Sequence, residues 1–333
     1  IGPNTAIRGL AGPDTHVIDA QGGTVMPGFI DSHVHLFGGS VELSCLDLFG
    51  IQGDEALSAA ITPFAAANPD DRIVFAVQAD YAILHDTRTP TRQELDQACP
   101  DRPFAMFAPD HHTIWANTAA LELAGLLHGG ETDAGSQIVM GDDGLATGEL
   151  REPGAYAPIL KLTRHAGRDM AGLVTGADPV PVPTREEREQ DKAVIAKGMQ
   201  HCAAQGITGL HCMDGNRYQL ELLSEMEADG TLLCRTAVPF HLKSFDPLER
   251  LEQADAMRRD FCGDMVWCGH VKMFIDGVIE GRTAHMLAPY PDTDDNYGDP
   301  VFEVDHFNEA CRRTDAMGMQ IAVHAIGDAG IRH

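Results

Sequence analysis

The sequence predicts a parallel α/β fold, and three features predict it. From residue 184 onward, helical segments alternate with apolar strand-like segments, the pattern of a parallel sheet covered by helices. The apolar run 25–36 opens on the turn Pro27-Gly28 and ends in His33-Val34-His35. Two further apolar strands end in chemistry-bearing residues, Lys272 and His324. That gathers polar groups at one end of a sheet, where parallel α/β folds place their sites.

Taken in order, residues 1–27 read as short strands (15–19 and 24–26) joined by turns, too few to make a core. Strand one covers 28–35. Side chains alternate along a strand, so His33 and His35 point the same way. Two imidazoles side by side are half of a tetrahedral zinc site. The runs 73–77 and 104–108 read as buried strands, and 115–127 as a helix. Segments 136–140 and 145–150 flank Asp142-Asp143-Gly144 and predict a hairpin. Residues 178–183 are Pro-rich and extended. Thr184-Arg185-Glu186-Glu187 forms a capping box for a helix that stops at Gly206. Strands then fall at 207–211, 233–240, 270–275 and 320–324, separated by helices at 217–229, 247–259 and 304–317. No internal repeat or low-complexity tract interrupts them.

Composition bounds the function. With 333 residues, 44% of them apolar, the chain can bury a large core as one large domain or two ordinary ones. A net charge of −26 repels phosphate backbones and anionic membranes, so neither nucleic acid nor a lipid surface is an expected partner. The eight cysteines form no Cys-x-x-Cys pair, which argues against a zinc ribbon and suits a reducing compartment. No apolar run reaches the ~18–20 residues of a membrane span, and no signal peptide is read. A cytoplasmic location is expected, with the periplasm left open because the sequence begins at Ile1.

Along 270–277, alternation puts Val271, Met273 and Ile275 on one face and His270, Lys272, Phe274 and Asp276 on the other. A lysine inside an apolar strand is costly unless its charge is removed or paired. The residues alone leave two readings of Lys272: a lysine that snorkels or pairs with Asp276, or a functional group. His324 alone reads as a hydrogen-bonded structural histidine. His211 and Asp214, counted as the end of strand three, read as structural.

The ordered set of motifs resembles the YtcJ-like (amidohydrolase 3) branch of the amidohydrolase superfamily, which includes N-substituted formamide deformylase. The matching pieces begin with Pro27-Gly28-Phe29-Ile30-Asp31-Ser32-His33-Val34-His35, Asp110-His111-His112-Thr113-Ile114-Trp115 and Gly148-Glu149-Leu150-Arg151-Glu152. They continue with Val271-Lys272-Met273-Phe274-Ile275-Asp276-Gly277, Arg282-Thr283-Ala284 and Val323-His324-Ala325-Ile326-Gly327-Asp328.

The resemblance implies a distorted (β/α)8 TIM-like barrel with a small β-sandwich. Residues 1–27 would be the sandwich remnant and 28–333 the N-terminal part of the barrel, with an insertion around 128–183. It also implies zinc or another divalent metal, one or two ions, with His33, His35, Lys272 and His324 as ligands. Lys272 would bridge as a carbamate made with carbon dioxide. His112 corresponds to a substrate or oxyanion contact, although His111 stands where the family usually has Gly. Asp276 and Arg282 are expected to line the substrate pocket, and Glu152 matches a family glutamate of underived role.

The implied activity is hydrolysis of a small-molecule amide, formamide or cyclic amide by a metal-activated hydroxide. A homo-oligomer is left open. The family's strand-six histidine and the strand-eight aspartate that shuttles the proton would lie beyond His333. The barrel is therefore expected to be truncated after strand five, since five strands cannot close it. On this reading residues 1–333 alone are expected to show little or no hydrolysis, and the alternative is a truncated, non-catalytic metal-binding or interaction module.

Overall fold

The computed structural model describes residues 1–132, 136–279, 281–291, 293 and 295–333. Its strands are β1 (Phe29–Val34), β2 (Leu46–Asp47), β3 (Val74–Val77), β4 (Phe104–Phe107), β5 (Thr113–Ala116), β6 (Gln137–Met140), β7 (Ala146–Arg151), β8 (Ile207–Cys212), β9 (Arg235–His241), β10 (Val266–Phe274) and β11 (Gln320–His324). They form two sheets. β1-β8-β9-β10-β11 pair in that order, all parallel. β2-β3-β4-β5-β7-β6 form a mixed sheet, parallel from β2 to β4 and antiparallel beyond.

The parallel sheet is curled. Laid flat, its edge strands β1 and β11 would stand about 19 Å apart, four spacings of ~4.8 Å. Yet His33 from β1 and His324 from β11 line one cavity. The sheet thus wraps as part of a barrel, with every strand's C-terminal end toward the same opening. Its outer face is built from residues such as Val271, Met273 and Ile275, all buried in the largest apolar cluster with side chains of the covering helices. Lys272 faces the other way, as alternation requires.

Local signals set the helices. Thr184 and Glu187 cap each other: Thr184 N–H donates to Glu187 Oε2 at 2.7 Å, and Glu187 N–H to Thr184 Oγ1 at 3.3 Å. The helix Arg185–Ala204 follows and buries Val194, Ile195 and Met199. At Gly198 it crosses the helix Leu36–Glu42 so closely that an added Cβ would overlap Ser40.

Several expectations change. Residues 1–27 hold one short helix, Asn4–Arg8, and no strand, because they are exposed and pair with no other segment. Residues 115 and 116 are strand rather than helix. Ile114 and Trp115 are fully buried in β5, and the helix Thr118–Ala124 starts only after Asn117. The Asn117 carboxamide accepts from Phe104 and Ala120 N–H and donates to the Cys99 and Arg102 carbonyls, fixing that boundary. The strand ending in His211 is second, not third, in the parallel sheet. The mixed sheet draws on residues 46–151, wider than the expected insertion. The hairpin β6–β7 forms as the Asp-Gly turn predicts.

A buried carboxylate ties two helices over the parallel sheet to the segment that follows the mixed sheet. Asp191 is fully buried and takes four hydrogen bonds: His165 Nδ1 (2.8 Å) and Arg168 Nη2 (2.8 Å) on Oδ1, Arg168 Nε (2.7 Å) and Tyr218 Oη (2.6 Å) on Oδ2. Burial pushes its carboxyl up, but these hydrogen bonds outweigh that and hold it below the usual range. Asp191→Asn leaves the buried Arg168 guanidinium with only the partly exposed Glu187 carboxylate, 3.2 Å from Nη1, as its charge partner, and should cost about 3 kcal/mol in urea unfolding. The sign with pH follows. The folded carboxyl lies below the unfolded value of ~3.9, so its contribution is complete above about pH 4 and fades as pH falls through the folded value. The gap between wild type and Asp191→Asn should therefore narrow on acidification below about pH 4.

Candidate functional site

A cavity of about 280 Å³ lies where the C-terminal ends of β1, β10 and β11 meet loops of the mixed sheet. The parallel sheet contributes His33, His35, Lys272, Phe274 and His324, and the mixed sheet contributes Asp110, His111, His112 and Glu152.

His33 and His35 share a side, as the period of two requires. Their ring centres are 5.6 Å apart, nearly edge to face. Burial lowers the His33 pKa, and the neighbouring Lys272 ammonium and His35 lower it further. His35 Nδ1 and Asp214 Oδ1 are 3.4 Å apart, both buried and without a hydrogen-bond partner. Asp214 therefore abuts the His-x-His pair, although it reads as structural in the sequence.

Lys272 is 3% exposed, opposite Ala322 of β11 and His241 of β9. Its ammonium lies 4.8 Å from the centre of the Phe274 ring. Burial pushes its pKa down to about 8, with Asp214 pulling weakly the other way. His324 Nε2 is 3.0 Å from the Gly277 carbonyl. A carbonyl can only accept, so Nε2 carries the proton and Nδ1 the lone pair. Burial also lowers the His324 pKa.

Across the cavity, His112 Nδ1 sits 3.0 Å from both carboxylate oxygens of Glu152, while the His112 N–H donates to Asp110 Oδ1 at 3.1 Å. Glu152, whose role the sequence left open, thus orients His112. It does so from a strained backbone, φ +64°. His111 has the same φ of +64°, which explains why glycine suits that position. Its ring is held by Glu42 Oε1 at 2.6 Å and its carbonyl by Tyr156 Oη at 2.8 Å.

Two expected pocket residues lie elsewhere. Asp276 is buried, but its carboxylate is engaged by the N–H groups of His285 (2.9 Å), Ile326 (3.0 Å) and Gly327 (2.7 Å), so it braces the loops after β10 and β11. It makes no pair with Lys272. Arg282 is exposed, in a turn at φ +56°, and does not line the cavity. The sequence reading missed Lys243, Glu42 and Tyr156. Lys243 could have been found by the same rule as Lys272, being a lysine just past the end of an apolar strand.

Among the described residues, no three His, Cys, Asp or Glu side chains converge as a metal-ligand set. What the structure does bring together is His33, His35, Lys272 and His324 on the wall of one cavity. This fits a divalent metal if Lys272 becomes a carbamate, which replaces a buried cation by two anionic oxygens. The unpartnered His35 Nδ1 and the lone pair on His324 Nδ1 are compatible with that donor set.

The amidohydrolase family profile matches residues 16–333. The chain is 28% identical over 321 residues to the putative amidohydrolase YtcJ of Bacillus subtilis, covering 95% of this chain and 55% of that protein. It is 27% identical over 346 residues to N-substituted formamide deformylase of Arthrobacter pascens, covering 99% and 58%. The crystal structure of an uncharacterized metal-dependent hydrolase from Pyrococcus horikoshii resembles it with a TM-score of 0.63 at 25% identity, over 92% of this chain and 55% of that one. The chain spans little more than half the length of these relatives. With the profile covering nearly all of it, the chain belongs to the amidohydrolase family.

Proposed function

We propose that this cavity is the site of a metal-dependent hydrolase of non-peptide C–N bonds in small amides, formamides or cyclic amides. One observation carries the reading: His33, His35, Lys272 and His324 line the same cavity as the His112–Glu152 pair. The kinship with a formamide deformylase supports the bond class.

His33, His35, His324 and carboxylated Lys272 would hold the metal. A divalent ion so held polarises a carbonyl and lowers the pKa of bound water toward ~7. The protein's own groups do the rest. Once deprotonated, the Lys272 amine attacks the carbon of carbon dioxide: the N–C bond forms as one C=O π bond opens, the amine proton passes to water, and a carbamate anion stands where the ammonium was. The Glu152 carboxylate accepts the Nδ1–H hydrogen bond of His112 and so fixes the orientation of the imidazole. In the imidazolium form, Nε2–H donates to the carbonyl oxygen as negative charge develops there. Leu173, Val174 and Phe274 wall the cavity and limit water around the reacting group.

The test is metal content and turnover of the full-length protein, supplied with zinc and bicarbonate, over an amide, formamide and cyclic amide panel. Bound metal and turnover, both lost in Lys272→Met, are expected. Retention of both by Lys272→Met sinks the reading. Metal retention with no turnover across the panel favours the non-catalytic metal-binding module instead.

Two further outcomes follow. Raising pH deprotonates Lys272, so at fixed dissolved carbon dioxide its carboxylation should increase as pH rises through about 8, read as a carbamate signal by ¹³C NMR with labelled bicarbonate. His112→Ala should lower kcat by about 10²–10³-fold. Glu152→Gln should lower it less, since the amide oxygen still accepts from Nδ1.

A further inference from the structure

We propose that Lys243 is the anion-binding group of this cavity and that the substrate carries a carboxylate next to the scissile C–N bond. This rests on the hydrolase reading above.

The chain carries 50 acidic residues and only five lysines: 161, 192, 197, 243 and 272. Lys161 and Lys197 are exposed to water. Lys192 is surrounded by carboxylates, with Glu189 at 2.9 Å, Glu225 at 3.2 Å and Asp229 at 3.9 Å. The remaining two line the candidate site, while no arginine does. A strongly acidic chain has thus placed two of its five lysines at one small cavity.

Lys243 lies two residues past the end of β9, half-buried. Its Nζ donates to the Leu173 carbonyl at 2.9 Å and lies 5.2 Å from the centre of the Phe274 ring. An ammonium has three donors, and the carbonyl takes one. Among the described residues no carboxylate stands within ion-pair distance of it. The nearby Asp246 attracts the ammonium without pairing with it: its Oδ2 accepts the Lys243 main-chain N–H at 2.9 Å and Arg250 Nη1 at 2.6 Å. The carboxylates of the cavity wall are likewise engaged. Glu152 holds His112, and Asp110 holds the His112 N–H and Tyr81 Oη.

A partly buried cation without a counter-ion is costly and is offset when an anion arrives. Carboxylation turns Lys272 from a cation into a carbamate anion, whose charge a bound metal would take up, and leaves the Lys243 ammonium as the cation of the cavity. A single point charge with apolar neighbours, Leu173, Val174 and Phe274, suits a monoanion attached to a small apolar body. The substrate class is therefore an N-acyl or N-formyl amino acid.

The experiment compares kcat/KM for N-formylleucine and N-formylisoamylamine, which differ by the carboxylate, with binding of 4-methylvalerate and its amide measured by calorimetry. Wild type should prefer N-formylleucine and bind the carboxylate over the amide. Lys243→Met should reduce both preferences by about tenfold or more, and Lys243→Arg, which keeps the charge, should restore much of each. If 4-methylvalerate binds through Lys243 but neither formamide is turned over, the hydrolase reading fails and the anion site stands. If Lys243→Met leaves both preferences unchanged, the proposal is overturned. It is also overturned if Lys243→Met abolishes the added carboxylate mass on Lys272, since the counter-ion of Lys243 would then be the carbamate itself.

Discussion

The buried Asp191 carboxylate is the joint on which the site depends. It lies on the helix that covers the parallel sheet, and its four donors come from Tyr218 on the next helix and from His165 and Arg168 on the segment leading away from the mixed sheet. That segment continues into Leu173 and Val174, which wall the cavity, and the Leu173 carbonyl fixes the Lys243 ammonium. One hydrogen-bonded charge, far too buried to meet substrate, thereby anchors the segment that leads to the cavity wall. The cost of desolvating it is met by a complete set of donors, the condition under which a buried ion pair is tolerated.

What could be read from the sequence was whatever depends on local periodicity. Alternation placed His33 with His35 and Lys272 opposite Val271, Met273 and Ile275. The capping box at Thr184 located the start of a helix to the residue. The parallel order of the last four strands followed from helix–strand alternation. What failed depended on contacts between distant segments. The chain near Trp115 looks helical by composition, but pairing with β4 and β7 and the Asn117 hydrogen bonds make it a strand. Asp276 sits on the polar face of its strand line, yet backbone N–H groups up to 51 residues away claim its carboxylate. Asp214 became a site residue only through the curl of the sheet, which no local pattern encodes.

The loops facing the parallel sheet carry the strain. His111 and Glu152 both adopt the left-handed region that glycine favours, and both belong to a histidine–carboxylate pair. Such backbones cost of order 1–3 kcal/mol each and persist when the surroundings over-determine them. Here the determinants are visible: Tyr156 on the His111 carbonyl, and the His112 carbonyl accepting the Glu152 N–H at 2.8 Å. The loop geometry is held by reciprocal hydrogen bonds between β5 and β7, and the imidazole of His112 is oriented as a result.

The crossing at Gly198 has a wider meaning for how this fold tolerates change. β1 is an edge strand, bonded only to β8 and with two irregularities in register, so the sheet alone positions His33 and His35 loosely. The helix that begins right after His35 is pressed against the glycine notch of its neighbour. That notch, remote from any reacting atom, acts as the mechanical stop for the His-x-His pair. Sequence drift at the cavity wall can retune what is bound there, whereas a single methyl group added behind it would displace the two imidazoles together.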